Sequence, residues 1–170
     1  MTAYVALLRA VNVGKRQLIM AELKAIGEEL GLGTPRTFIA SGNLLFTSAR
    51  SEVDLREMLE RRLAGHMGAE VPVMIRTAEE MSAVAAANPF PDMPGNRVYA
   101  IFLDTPPPPD ALDHARNVTD ERMALGTREI YVAYPGGMGT SKLRIPAAAA
   151  GTARNMNTVA KLADLAKEMA

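Results

Sequence analysis

Residues 36–47, Arg36-Thr37-Phe38-Ile39-Ala40-Ser41-Gly42-Asn43-Leu44-Leu45-Phe46-Thr47, decide the fold. Two apolar runs flank Ser41-Gly42-Asn43, the composition of a hairpin turn. Strands are expected over Arg36 to Ala40 and Leu44 to Thr47. Glycine at the first central position of a two-residue turn predicts type II′, because it reaches positive φ without a Cβ clash. Upstream, Met20 to Leu30 carries Leu23, Ile26 and Leu30 at helical spacing, and Gly31 and Gly33 stop it. Before that helix, Ala3 to Arg9 reads as a strand apolar on both faces. Downstream, Ser51-Glu52-Val53-Asp54 opens a helix as an aspartate variant of the capping box, with Leu55, Met58, Leu59, Leu63 and Met67 as its stripe. Val71 to Ile75 makes a fourth strand. The order is βαββαβ within residues 1–76, the split βαβ unit of ferredoxin-like α+β folds with an antiparallel sheet.

Residues 77–170 predict a second, smaller α+β subdomain. It starts with the capping box Thr77-Ala78-Glu79-Glu80 and a helix that ends before Asn88-Pro89. Arg97 to Leu103 is a strand, Pro106 to Pro109 a stiff connector, and Asp110 stands where it can cap a short helix. Arg122 to Leu125 and Glu129 to Ala133 form a hairpin around Gly126-Thr127. Asn155 to Ala170 is a closing helix with Val159, Leu162, Ala166 and Met169 on one face.

Composition excludes several function classes. There is no cysteine, so disulfides, thiol nucleophiles and thiolate metal sites are out. His66 and His114 are isolated, without the spacing of a metal site, and no carboxylate pair is placed for acid–base work. No metal, cofactor or covalent nucleophile is therefore expected. Ser41 and Ser141 lack the G-x-S-x-G context of a nucleophile elbow. Lys plus Arg and Asp plus Glu are 19 each, so no global basic field draws nucleic acid. No apolar run reaches the roughly 18 residues of a membrane span. The N-terminus lacks the basic region of a signal peptide, and a cytoplasmic location is expected.

Four polar segments interrupt this apolar chain: Leu7 to Gly14, Ala40 to Asn43, Gly139 to Leu143 and Thr152 to Thr158. Nearly all the residues in them that could bind something are hydrogen-bond donors, with no carboxylate, His or Cys among them. Topology alone brings the exit of the first strand and the Ser41-Gly42-Asn43 turn to one sheet edge, near His66. Ala10 to Ile19 is a long βα connection, a common ligand-binding feature.

In these segments the chain resembles the bacterial domain-of-unknown-function family 1697, whose members open LLRGINVGG, continue through SGN and SKL, and close TARNWNTV. Here the stretches read LLRAVNVG, ASGN, Ser141-Lys142-Leu143 and TARNMNTV. Val71-Pro72-Val73, Arg76-Thr77 and Ala87-Asn88-Pro89-Phe90 also match, so the resemblance covers almost the whole chain. It implies two α+β subdomains, the first ferredoxin-like, and no established activity. Ala10 replaces the family's usual Gly, and Met156 stands for its usual Trp. A flexible Met fills a gap that a Trp would fill, so we read that position as packing rather than as a stacking platform.

The donor pattern leads us to expect a small anionic ligand, bearing phosphate or carboxylate, in the cleft between subdomains. The candidate binding residues are Arg9, Asn12, Gly14, Ser41, Asn43, Lys142, Arg154, Asn155 and Asn157. Arg9 and Arg154 would clamp charge bidentately, Lys142 would act as a point charge, and the amides would orient. Five have a structural alternative: an ion pair for Arg9, turn formation for Asn12, Ser41 and Asn43, a helix cap for Asn155. Arg154 to Thr158 is read as a helix opening whose free N–H groups favour anions. Whether any reaction is catalysed, and the oligomeric state, stay open. One competing function is nucleic-acid binding on the ferredoxin-like sheet, for which Tyr4 and Phe46 are the only stacking candidates and the RNP1 pattern is missing. The other is a purely structural or oligomerising protein.

Overall fold

The computed structural model of the chain describes residues 1–9, 18–39 and 42–170. The chain divides into two compact units, Met1–Ser82 with Leu162–Ala170, and Ala83–Lys161. The first unit begins with β1 (Thr2–Leu8), α1 (Met20–Glu29), β2 (Gly33–Thr37), β3 (Asn43–Ser48), α2 (Glu52–Met67) and β4 (Val73–Thr77). Its sheet has the order β2-β3-β1-β4, with β1 antiparallel to both β3 and β4. Order and connectivity are those of the split βαβ arrangement.

One face of that sheet, through Tyr4, Ala6, Leu8, Leu44, Phe46 and Ile75, packs with Leu23 and Ile26 of α1 and Leu55, Leu59 and Leu63 of α2. The helical stripes therefore do what their spacing predicts. Residues of the opposite face, such as Val5, Leu7 and Leu45, are also buried, which explains why β1 reads as an unbroken apolar run. Arg76 shares that second face, opposite Val5 and only 1% exposed. Tyr4 and Phe46 stack at 5.8 Å on the helix-covered face, 7% and 0% exposed. A stacking platform for bases needs exposed rings, so these two are unavailable for that role.

Two expectations are corrected here. The first hairpin strand ends at Thr37 rather than Ala40 and starts at Gly33. Thr37 pairs with Leu44, and Phe38 donates its N–H to the Asn43 carbonyl at 3.2 Å, so the connection exceeds a two-residue turn. Pro35 is tolerated because β2 is an edge strand, where a missing N–H costs no ladder bond.

α3 (Ala78–Ala86) opens on the predicted capping box in full: Thr77 N–H donates to Glu80 Oε1 at 2.9 Å, and Glu80 N–H to Thr77 Oγ1 at 3.1 Å. Ser51 likewise caps α2 by accepting from Asp54 N–H. Then come β5 (Val98–Phe102), β6 (Arg122–Leu125), β7 (Glu129–Ala133), β8 (Thr152–Asn155) and α4 (Met156–Met169). The second sheet has the order β6-β7-β5-β8, all antiparallel. Leu103, Ile130, Val132, Tyr134 and Ile145 centre the core of one face.

β8 is the strand that sequence reading did not place. Thr152 to Asn155 is short and polar, and only pairing with β5, Tyr99 to Asn155 and Ala100 to Arg154, makes it a strand. Arg154 therefore lies in a sheet, not in a helix opening. Among the described residues no helix is long and apolar enough to cross a membrane.

Candidate functional site

At one end of the first sheet the expected convergence is present. Leu8 N–H donates to the Gly42 carbonyl at 2.9 Å, and Arg9 N–H to the Pro72 carbonyl at 3.0 Å. The exit of β1, the start of β3 and the approach to β4 thus share one edge. His66, in the last turn of α2, meets Glu22 in the first turn of α1 at 2.6 Å, tying both helices at that end. Asn43 is fully buried, and its amide donates to the Phe38 carbonyl at 2.9 Å. Ile39 holds φ +52° and Gly42 φ +86°. Only glycine reaches that region without strain, so the Ile39 backbone is strained. Asn12, Gly14 and Ser41, the other candidates of this edge, lie outside the described residues.

The remaining candidates belong to the second unit. Arg154 is 6% exposed on β8, where its guanidinium donates to Thr152 Oγ1 at 3.1 Å and to the Ala153 carbonyl at 2.9 Å. Burial lowers its pKa to about 10, which still leaves it charged at neutral pH. Asn155 accepts from Thr158 N–H at 2.9 Å and so caps α4. Asn157 rests its amide against Gly95, occupying the place of a Cβ. None of these three lines the recesses around Lys142.

Lys142 sits in a different setting, built by two segments that sequence reading did not connect. Arg116 N–H donates to the Arg144 carbonyl at 2.8 Å, and Arg144 N–H returns a bond to the Arg116 carbonyl at 3.0 Å. Exchange of both bonds makes them a directly opposed antiparallel pair, with their side chains on one side. Asn117, at φ +59°, donates its amide to the Lys142 carbonyl at 3.2 Å and fixes the second segment. All three cations are exposed, and among the described residues their charged heads have no hydrogen bond or ion pair. Like charges directly opposite each other are unfavourable.

Beside this pair opens a recess of about 540 Å³, walled by Ile101, Tyr134, Leu143, Ile145, Pro146 and Ala148 together with the two arginines and Asn117. A second recess of about 510 Å³, lined by Asn117, Ser141, Lys142, Leu143 and Arg144, adjoins it through shared walls. Ser141 anchors the loop: its hydroxyl donates to Glu121 Oε2 at 2.5 Å, and Glu121 also accepts from Thr119 N–H at 2.7 Å. The Ser141 hydroxyl, then backbone N–H groups, hold the Glu121 carboxyl down to about pKa 2.

Sequence signals for this site were faint. Lys142 and Arg144 alternate with Leu143 and Ile145, the mark of a half-buried extended segment. Arg116 follows from no local pattern; only the long-range bridge brings it in. Among the described residues no group of three or more His, Cys, Asp or Glu is placed to hold a metal ion.

Comparison with known proteins places the chain in a family. It belongs to the family described as "Protein of unknown function (DUF1697)", whose model matches residues 1–131. Among solved structures it is similar to the conserved bacterial protein SP0830 from Streptococcus pneumoniae, at 28% identity and a TM-score of 0.82, covering 98% of this chain and 99% of that one. No curated protein matches. The likeness to that structure extends over both units, and the description it carries assigns no activity.

Proposed function

We propose that this protein binds a small anionic ligand bearing phosphate or carboxylate, and that Arg116, Lys142 and Arg144 recognise it. The single observation that carries the reading is the opposed arginine pair, exposed and without an ion pair among the described residues, beside an organic-sized recess. Two guanidinium forks side by side repel each other when empty and both gain when one oxyanion lies between them. The arginine fork matches carboxylate and phosphate oxygens, and Lys142 adds a point charge. Of the residues picked from sequence, this reading retains Lys142, which lines the second recess. Arg9 and Arg154 contribute positive charge in their own units, while Asn43, Asn155 and Asn157 hold a turn, a cap and a close approach.

A thermal-shift series with inorganic phosphate, pyrophosphate and short dicarboxylates tests this. A ligand at 100 times its Kd adds about 2.7 kcal/mol to stability. For a chain of this size that raises Tm by roughly 5–10 °C. Arg144→Ala should abolish the rise, and the surface control Lys24→Ala should keep it. If no anion in the series stabilises the wild type, the reading fails.

A further inference from the structure

The two adjoining recesses differ in chemistry, and the difference specifies the ligand. We infer that the ligand is a phosphate monoester on an aliphatic body, its phosphate between Arg116 and Arg144 and its body in the recess walled by Ile101, Leu143, Ile145, Pro146 and Ala148. This rests on the anion-binding reading above and narrows it.

The first argument is valence. Arg116 and Arg144 emerge side by side from a doubly bonded pair, so two forks face one space. A carboxylate has two oxygens and satisfies one fork bidentately; a phosphate monoester has three terminal oxygens and a second negative charge, and engages both. The second argument is size. A recess of about 540 Å³ lies in the range of pockets that bury organic molecules, well beyond a bare oxyanion.

The third is wall chemistry. Six of the ten wall residues are aliphatic. Asn117 and Tyr134 are the uncharged polar side chains there, and the Asn117 NH₂ group already donates to the Lys142 carbonyl. A nucleobase needs polar groups to read its edge, and a sugar needs many more. An alkyl or alicyclic body needs none. Arg144 lines both recesses, so the phosphate sits at their junction, and the polar recess with Lys142 stays open to solvent or to a second charged group.

The same chemistry is offered by a free metabolite and by the headgroup of an anionic lipid. The test is isothermal titration of the full chain, at fixed ionic strength, with inorganic phosphate, n-hexyl phosphate, hexanoate and adenosine monophosphate. Sedimentation with phosphatidylcholine vesicles, with and without phosphatidic acid, runs beside it. Each methylene that leaves water is worth about fourfold in affinity. Hexyl phosphate should therefore bind at least about tenfold tighter than inorganic phosphate, and tighter than hexanoate or the nucleotide. Ala148→Phe, which fills the recess, should remove the hexyl advantage, read as the ratio of hexyl phosphate to inorganic phosphate affinity within the same variant. Ala149→Phe, from an exposed wall position, repeats this if the first variant folds poorly. Arg144→Ala should weaken both phosphates.

Sedimentation only with phosphatidic acid vesicles assigns the lipid source, and its absence assigns the soluble one. If hexyl phosphate binds no tighter than inorganic phosphate, or the nucleotide binds as tightly, the aliphatic assignment is overturned while anion binding stands. If neither phosphate binds, the parent reading falls with it.

Discussion

The edge of the first sheet and the Arg116–Arg144 bridge of the second unit are both donor-rich, yet their donors are used differently. At the first edge, the Asn43 amide is buried on the Phe38 carbonyl, and the N–H groups of Leu8 and Arg9 complete the pairing of three strands. At the bridge, the backbone is satisfied between the two arginines while their charged heads, with that of Lys142, stay exposed and unpaired among the described residues. A donor in the sequence marks a ligand site only when the fold leaves it unsatisfied. The two regions should therefore respond oppositely to mutation: the first in stability, the second in ligand response.

The largest effect is expected at Asn43. Truncation of the fully buried Asn43 to Ala leaves the partly buried Phe38 carbonyl without its amide partner and opens a small void, costing about 2–3 kcal/mol. Thermal unfolding should show a Tm lower by roughly 5–10 °C. A variant as stable as wild type would break the contrast, because Asn43 would then be free for a ligand. Gly151→Ala comes next. Its new Cβ would stand 2.7 Å from Ile101 Cγ2 and 2.9 Å from the Phe102 carbonyl oxygen, where β8 approaches β5. Overpacking of this kind costs about 1–3 kcal/mol, read from the urea midpoint. Ile101 also lines the recess, so the same variant should lose ligand response in proportion to the shift of that side chain.

Legibility followed the range of the interactions. The capping box of α3, the stripes of α1 and α2 and the β6–β7 hairpin are written in residues close in sequence, and all formed as read. β2 was displaced because its extent is set by partners on β3, not by its own residues. β8 was missed because Thr152 to Asn155 has no apolar alternation and becomes a strand only against β5. The site divides likewise. Lys142 stood out within a polar segment, whereas Arg116 lies 28 positions from Arg144 and shares no pattern with it. Arg76 reads as an ordinary charged strand end, and only the sheet shows it buried.

Glu121 sharpens the comparison through pH. Its folded pKa of about 2 lies below the ordinary value of 4.5, first because the Ser141 hydroxyl donates to it. A depressed carboxyl stabilises the fold above pH 4.5, and that contribution is lost as pH falls toward 2. Ser141→Ala should move the Glu121 titration, followed by carboxyl carbon NMR, back up toward 4.5. The loop carrying Lys142 and Arg144 should then show faster amide exchange, with the first sheet unaffected. An unmoved titration would mean that the backbone donors alone hold the carboxylate.

The smallest effect on unliganded stability is predicted for the arginine pair itself. Arg116→Ala and Arg144→Ala remove exposed side chains that have no partner among the described residues, so stability should stay within about 0.5 kcal/mol of wild type. The sign is informative. Two like charges directly opposite each other repel, so removing either should leave Tm unchanged or slightly raised at low salt. Added sodium chloride screens the repulsion and should erase the difference, because exposed charges interact weakly beyond a Debye length of about 10 Å at 0.1 M. The double variant should gain no more than either single one, since the repulsion is gone once one partner is removed. A clear loss of stability in both single variants would place the pair with Asn43 as a structural feature. Neutral or stabilised variants that have lost all response to phosphate would instead mark a position kept charged at the expense of the empty fold.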